Sequence, residues 1–281
     1  MRIAISVEST NDLSAELLHK YNISVVPYQI VLGDMVFRDG DHSTEEVFAY
    51  VEKTKKLPKT NAINEFEYTE YFESLLEKND AVIHICLSSG MSSSCNNAIN
   101  ASKNVKGVYV VDSKSLSTGI GLLAIYAREL VEEGLSAEEI YQKVLERVDY
   151  IQASFIVERL DYLYKGGRCN SLQLLGANLL KIRPRIIVKD GKMISDKKYR
   201  GNIASVIGKY ARETIEEFNT PDLTRAFVTY TTATIEMVEA AREALKEAGF
   251  KEIYETRAGC TIASHCGEHT LGILYFNDGK K

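Results

Sequence analysis

The chain has 281 residues, a formal net charge of −5, 45% apolar residues and 26% charged residues. That balance is ordinary for a globular protein of one large or two smaller domains. It excludes a disordered chain and argues against a general nucleic-acid binder, which presents a basic face. No window reaches the apolar run needed to cross a bilayer, and the run from Ile3 to Val7 is too short for the core of a signal peptide, so the expected location is cytoplasmic. The cysteines are Cys86, Cys95, Cys169, Cys260 and Cys266, an odd set without CxxC spacing, and they read as free thiols. No Cys/His cluster has ligand spacing, so no metal site is expected.

Strands and helices alternate through the first half. Arg2 to Val7 reads as a buried strand, followed by a helix through Leu13, Leu17 and Leu18 that Ser9 or Asn11 can cap. Ile23 to Leu32 is extended and turns at Gly33-Asp34 into Met35 to Phe37, a small hairpin. Ser43 and Glu46 form a capping box for a helix over Glu45 to Lys53. Leu57 to Ala62 then reads as a connecting loop before a helix from Phe66 to Glu77. Ala81 to Leu87 and Val108 to Val111 are strands. Helices follow from Thr118 to Glu133, stopped by Gly134, and from a Ser136/Glu139 cap to Tyr150. This repetition predicts a parallel sheet with helices on its faces, with ligands beyond the strand ends after Val7, Leu87 and Val111.

The second half differs in texture. Ala153 to Val157 is extended, and Leu160 to Tyr164 and Leu172 to Leu180 read as helices on either side of Lys165-Gly166-Gly167-Arg168. A hairpin turns at Asp190-Gly191. A helix from Ile203 to Phe218, a strand from Ala226 to Tyr230, a helix from Ile235 to Ala248 and strands at Glu252 to Glu255 and Leu271 to Phe276 complete an α+β unit. The expected boundary lies near Tyr150, giving units 1–150 and 151–281.

Five stretches could carry chemistry. Leu87 to Ser94 holds five serines in eight residues, directly after a strand and before a helix opening near Asn96. It is either a serine-rich surface loop or an anion-binding loop whose helix N-terminus favours negative charge. It is not a P-loop, since GxxxxGK[ST] is absent. Thr60 and Asn61 can donate hydrogen bonds or simply cap the next helix. His265 lies in a Ser/Gly-rich loop, Gly259 to Gly267, where it is either structural or a carboxylate ligand or base. Cys266 beside it is a poor nucleophile partner, because neighbours on an extended segment face opposite ways. Arg168 follows two glycines that suit a tight helix break with close backbone approach. Lys197-Lys198-Tyr199-Arg200-Gly201 is a basic cluster on a predicted loop, either a solvated charge run or a docking patch.

Taken in order, these stretches resemble the DegV family over nearly the whole chain. The carriers are Glu8-Ser9-Thr10-Asn11-Asp12-Leu13, Thr60-Asn61-Ala62-Ile63, Ser88 to Ser94, and Asp112-Ser113 with Ser117, Gly119 and Gly121. Further on come Gly166-Gly167-Arg168, Arg183-Pro184, Arg200-Gly201, and Ile262-Ala263-Ser264-His265 with Gly267 and Thr270-Leu271-Gly272. The chain departs from the family where Asn61-Ala62-Ile63 replaces Ser-Gln-Pro and Ser93-Ser94 replaces Gly-Thr.

The resemblance implies a fold of two α/β domains: an N-terminal parallel-sheet, Rossmann-like domain and a C-terminal α+β domain, with a lipid tunnel between them. It implies a bound long-chain fatty acid such as palmitate, with the carboxylate held by Thr60, Ser92 and His265 and with Asn61, Ser93, Ser94, Ser117 and Arg168 near the head group. Arg200, with Lys197 and Lys198, would dock a separate ATP-dependent fatty acid kinase subunit that phosphorylates the bound carboxylate. The chain itself would then be a monomeric carrier without cofactor, metal or nucleic acid, capable of transient contact with a membrane surface. Burying about fifteen CH₂ groups at roughly 0.8 kcal/mol each gives on the order of 12 kcal/mol gross, so the tail supplies affinity and the head group needs only modest donors. The alternative is a small acyl hydrolase or acyltransferase using a Ser or Cys nucleophile, although no G-x-S-x-G elbow is present.

Overall fold

The alternating apolar runs of the first half pair into a parallel sheet in the computed structural model, which describes residues 1–169 and 182–279. Strand β1 (Ile3–Glu8) leads through a 3₁₀ turn at 9–11 and α1 (Ala15–Lys20) to β2 (Ile23–Val26). Next come β3 (Gln29–Leu32), β4 (Met35–Arg38), α2 (Thr44–Thr54), β5 (Lys59–Asn61), α3 (Glu65–Leu76), β6 (Ala81–Cys86), α4 (Ser94–Asn104) and β7 (Val108–Asp112). The parallel sheet has the order β2-β1-β6-β7, with Ile5 opposite Ile23, Val7 opposite Ile85 and Ile85 opposite Val111. The chain leaves β1 on one side for β2 and returns on the other side for β6. The loops after β1 and β6 therefore diverge, which opens a crevice at the carboxyl ends of the strands.

Helices α5 (Thr118–Glu132) and α6 (Ala137–Val148) lead to β8 (Ile151–Ile156) and α7 (Leu160–Lys165). After residue 182 come β9 (Ile182–Lys189), β10 (Lys192–Arg200), α8 (Ile203–Glu217), β11 (Arg225–Tyr230), α9 (Ile235–Glu247), β12 (Glu252–Arg257), α10 (Cys260–Cys266) and β13 (Leu271–Phe276). Their strands form a mixed sheet, β10-β9-β8-β13-β11-β12, in which only β11 and β12 pair in parallel. The first core contains Ile5, Val7, Ile83, Leu122 and Leu123; the second contains Ile207, Tyr210, Val228 and Ile273. Among the described residues no helix is long and apolar enough to cross a membrane.

The structure corrects several local expectations. Helix α1 is capped by Ser14, whose oxygen accepts from Leu17 N–H, while Asn11 instead makes a turn by accepting from Leu13 N–H. The run Ile23 to Leu32 is two strands, because Pro27 has no N–H to continue a ladder. The expected loop at 57–62 contains β5, which pairs with β3 and joins β4 in a third, antiparallel sheet. That pairing is between segments some thirty residues apart, beyond the reach of local periodicity. Lys197 to Arg200 lie in β10, not in a loop, because the Asp190-Gly191 hairpin extends to Arg200 opposite Ile182. The predicted loop at 259–267 contains α10, so the adjacency of His265 and Cys266 is helical rather than extended. The predicted helix Leu172 to Leu180 lies outside the described residues. The capping boxes of α2 and α6 form as expected, and α3 has another, from Asn64 and Glu67.

Candidate functional site

The serine-rich loop after β6 is fixed at both ends. Ser88 donates its hydroxyl to the Gly191 carbonyl at 2.7 Å, tying the loop to the β9–β10 turn. Asp190 and Gly191 both have positive φ in that two-residue turn, and a Cβ on Gly191 would fall 2.7 Å from Ser88 Oγ, so glycine permits the contact. At the other end Ser94 is buried and accepts from Ile63 N–H at 2.9 Å. Between them Ser92 Oγ accepts from the Tyr28 hydroxyl at 3.1 Å and from Ser94 N–H at 3.2 Å.

Opposite this loop stands α10, a seven-residue helix of modest propensity held from outside. Asp39 accepts from Cys260 N–H (2.8 Å) and Thr261 N–H (3.0 Å), satisfying donors that the first turn leaves unpaired. Asp12 accepts from Gly259 N–H at 2.8 Å and from the Ser117 hydroxyl at 2.5 Å. Burial outweighs those two hydrogen bonds and pushes the Asp12 carboxyl up to about 8. The helix so placed brings His265 Nε2 to 2.9 Å from Thr60 Oγ1, across 205 residues of sequence. His265 Nδ1 is buried without a hydrogen-bond partner among the described residues and faces Gly166, where a Cβ would lie only 2.9 Å away. Burial, with the Arg168 charge second, lowers His265 to about 4, so the ring is neutral at physiological pH.

A cavity of about 210 Å³ opens between loop and helix. Its polar end is formed by Thr60, Ser92, Ser93, His265 and Arg168, and its apolar wall by Leu87, Met91, Leu116, Met193 and Ile262. A second void of about 30 Å³ shares Leu116, Ile262 and Cys266 with it and runs on to Phe155, Gly272 and Leu274 of the mixed sheet. This second void is a narrow, largely apolar throat that shares a wall with the larger cavity.

Of the residues singled out in the sequence, Thr60, Ser92, Ser93, Arg168 and His265 meet at this cavity. Asn61 does not: it is exposed beside Thr60, and its amide reaches toward Gln29 at 3.4 Å, because neighbours on a strand face opposite ways. Ser94 is turned toward Ile63, and Ser117 lines the throat with its hydroxyl committed to Asp12. Lys197, Lys198 and Arg200 line a separate groove of about 640 Å³ with Lys209 and Tyr199, and Lys197 is paired with Glu217 at 2.9 Å. Arg200 lies seven residues along β10 from Met193, about 23 Å at strand spacing. Tyr28, Asp12, Asp39 and Met193 escaped the sequence reading. Two of them carried a signal: Tyr28 follows the proline that breaks an extended run, and Asp12 belongs to the motif after the first strand.

The family model described as "Uncharacterised protein, DegV family" matches residues 2–278. The chain belongs to the DegV family. This DegV-family chain is 30% identical over 278 residues to a DegV domain-containing protein of Caldanaerobacter subterraneus, covering 98% of each. It is 35% identical over 229 residues to a fatty acid-binding protein of Thermotoga maritima, covering 77% of this chain and 78% of that one. A DegV-family protein of Thermus thermophilus, solved in a study of its fatty acid binding, superposes with a TM-score of 0.88 at 28% identity, covering 98% of this chain and 99% of that chain.

Proposed function

We propose that this DegV-family chain binds a single long-chain fatty acid, its carboxylate at Thr60, Ser92 and His265 and its tail in the apolar throat at the junction of units 1–150 and 151–281. The observation that carries the reading is the meeting of two hydroxyls, one of them backed by a histidine, from three separate elements at the polar end of an otherwise apolar cavity. Neutral hydroxyls and a neutral imidazole suit a ligand whose affinity comes from its tail, and Arg168 at the same end is exposed and donates to the Gly166 carbonyl, which leaves the carboxylate without a bidentate clamp. With His265 Nε2–H donating to Thr60 Oγ1, the Thr60 hydrogen is released toward the carboxylate. The throat is narrow, so an acyl chain enters it by displacing the side chains that wall it, such as Leu116, Ile262 and Leu274.

The nucleophile reading has less support. Cys266 is buried and its thiol is pushed far up, so it holds its proton. Ser92 receives hydrogen bonds from Tyr28 and Ser94 rather than facing a base. A carrier that presents its carboxylate to a separate ATP-dependent kinase subunit, docked at Arg200, Lys198 and Lys197, accounts for a reactive head group at one end of β10 and a basic groove at the other.

The test is mass spectrometry of an organic extract of the natively purified protein, followed by palmitate titration of the delipidated parent and the Thr60→Ala/Ser92→Ala double variant. A near-stoichiometric fatty acid and at least about a 10-fold loss of affinity in a folded double variant are expected. A clean extract with no palmitate binding rejects the ligand, and unchanged affinity in the double variant rejects the head-group assignment.

A further inference from the structure

We propose that Tyr28 is a positioning residue of the head-group site, its hydroxyl fixing Ser92 as a donor aimed into the cavity. The inference rests on the reading of Ser92 as a carboxylate ligand and adds what makes that serine a donor. A serine hydroxyl has one hydrogen and two acceptor lone pairs. In the structure Ser92 Oγ accepts twice, from the Tyr28 hydroxyl at 3.1 Å and from Ser94 N–H at 3.2 Å. Both acceptor positions are filled from the protein side, so the remaining hydrogen turns toward the cavity that Ser92 lines. A carboxylate there meets a hydrogen, not a lone pair.

Tyr28 itself is held in place. It is 2% exposed, lies just past Pro27 at the break between β2 and β3, and lines the same cavity. Its hydroxyl also faces Glu8, which could compete for the single phenolic hydrogen. Glu8, however, already accepts from the Tyr68 hydroxyl, from Leu87 N–H at 2.6 Å and from the Thr10 hydroxyl at 3.3 Å. Burial also holds the Glu8 carboxyl up to about 7, which weakens its demand for a further donor. The Tyr28 hydrogen is thus left to Ser92. Without it, one Ser92 lone pair is open and the serine hydroxyl is free to rotate away from the ligand.

The experiment is a double-mutant cycle read by palmitate affinity, using Tyr28→Phe, Ser92→Ala and the combination in the full-length delipidated protein. Tyr28→Phe keeps the ring that fills the space beneath the loop, and a thermal melt verifies the fold of each variant. Tyr28→Phe is expected to weaken palmitate binding about 3- to 10-fold in the parent and to leave it unchanged in the Ser92→Ala background. Equal losses in both backgrounds would mean that Tyr28 acts by packing and would overturn the proposal, as would no loss in the parent while Ser92→Ala does weaken binding. If Ser92→Ala itself binds palmitate as the parent does, the head-group assignment falls first and the positioning role falls with it.

Discussion

Among the described residues two hydroxyl–histidine pairs, one buried and one part-buried, are set apart by their surroundings. Beneath the parallel sheet, His84 Nδ1 is 2.8 Å from Ser6 Oγ, and its ring is packed against Tyr68, Tyr71 and Phe72. Beside the cavity, His265 Nε2 is 2.9 Å from Thr60 Oγ1. Each ring has one nitrogen without a partner among the described residues, and burial lowers both, to about 3 and about 4. His84 also has Glu8 and Cys86 within ligating range, but Glu8 is already engaged by Tyr68, Leu87 and Thr10. Chemically the pairs are near equivalents. One is enclosed by aromatic rings and serves packing, whereas the other lines a cavity with an apolar throat. A hydroxyl partner and a lowered histidine therefore do not set the two pairs apart; access to a cavity does.

Truncating each histidine gives the sharpest test of that contrast. His84→Ala empties a fully enclosed site and is expected to destabilise the fold by about 3 kcal/mol, with palmitate affinity of the folded fraction unchanged. His265→Ala is expected to weaken palmitate binding by about 10- to 100-fold with a smaller loss of stability. Urea denaturation and ligand titration on both variants decide it, and matching losses in the two assays would erase the distinction.

Asp12 extends the comparison from histidines pushed down to an acid pushed up. In the fold it keeps its proton up to about 8, against 3.8 for an ordinary aspartate, so between those values the native state binds more protons and stability falls as pH rises. The two histidines act in the opposite sense, losing stability as pH falls below about 6.5, and are silent above pH 7. Asp12→Asn mimics the protonated acid. It is expected to flatten the decline in urea-derived stability toward pH 8, which a single acid contributes at up to about 1.4 kcal/mol per pH unit. A variant whose decline parallels the parent's would show that Asp12 is ionised in the fold.

The smallest effect is expected far from both pairs. Arg200→Ala, at the distal end of β10, should leave stability within about 0.5 kcal/mol and palmitate affinity unchanged, while lowering phosphorylation of the bound lipid by an ATP-dependent kinase subunit. A loss of palmitate affinity instead would place Arg200 in the lipid site.

The sequence by itself determined the elements whose signals are local. Capping boxes at Ser43 and Ser136, the Asp190-Gly191 turn and the apolar runs of β1, β6 and β7 are legible because each depends on neighbours within a few residues. It also marked Thr60, Ser92 and His265, through their place in an ordered set of family motifs. Tertiary structure decided what those residues face. It made the segment at Thr60 a strand, the segment at His265 a helix and the Lys197 cluster part of a hairpin. It also recruited Tyr28, Asp12 and Asp39, which local patterning does not single out as site residues. The reason is physical: a hydrogen bond between residues 205 apart, or a carboxylate capping a helix from another part of the chain, leaves no periodicity in either segment, because the geometry exists only once the two are packed together.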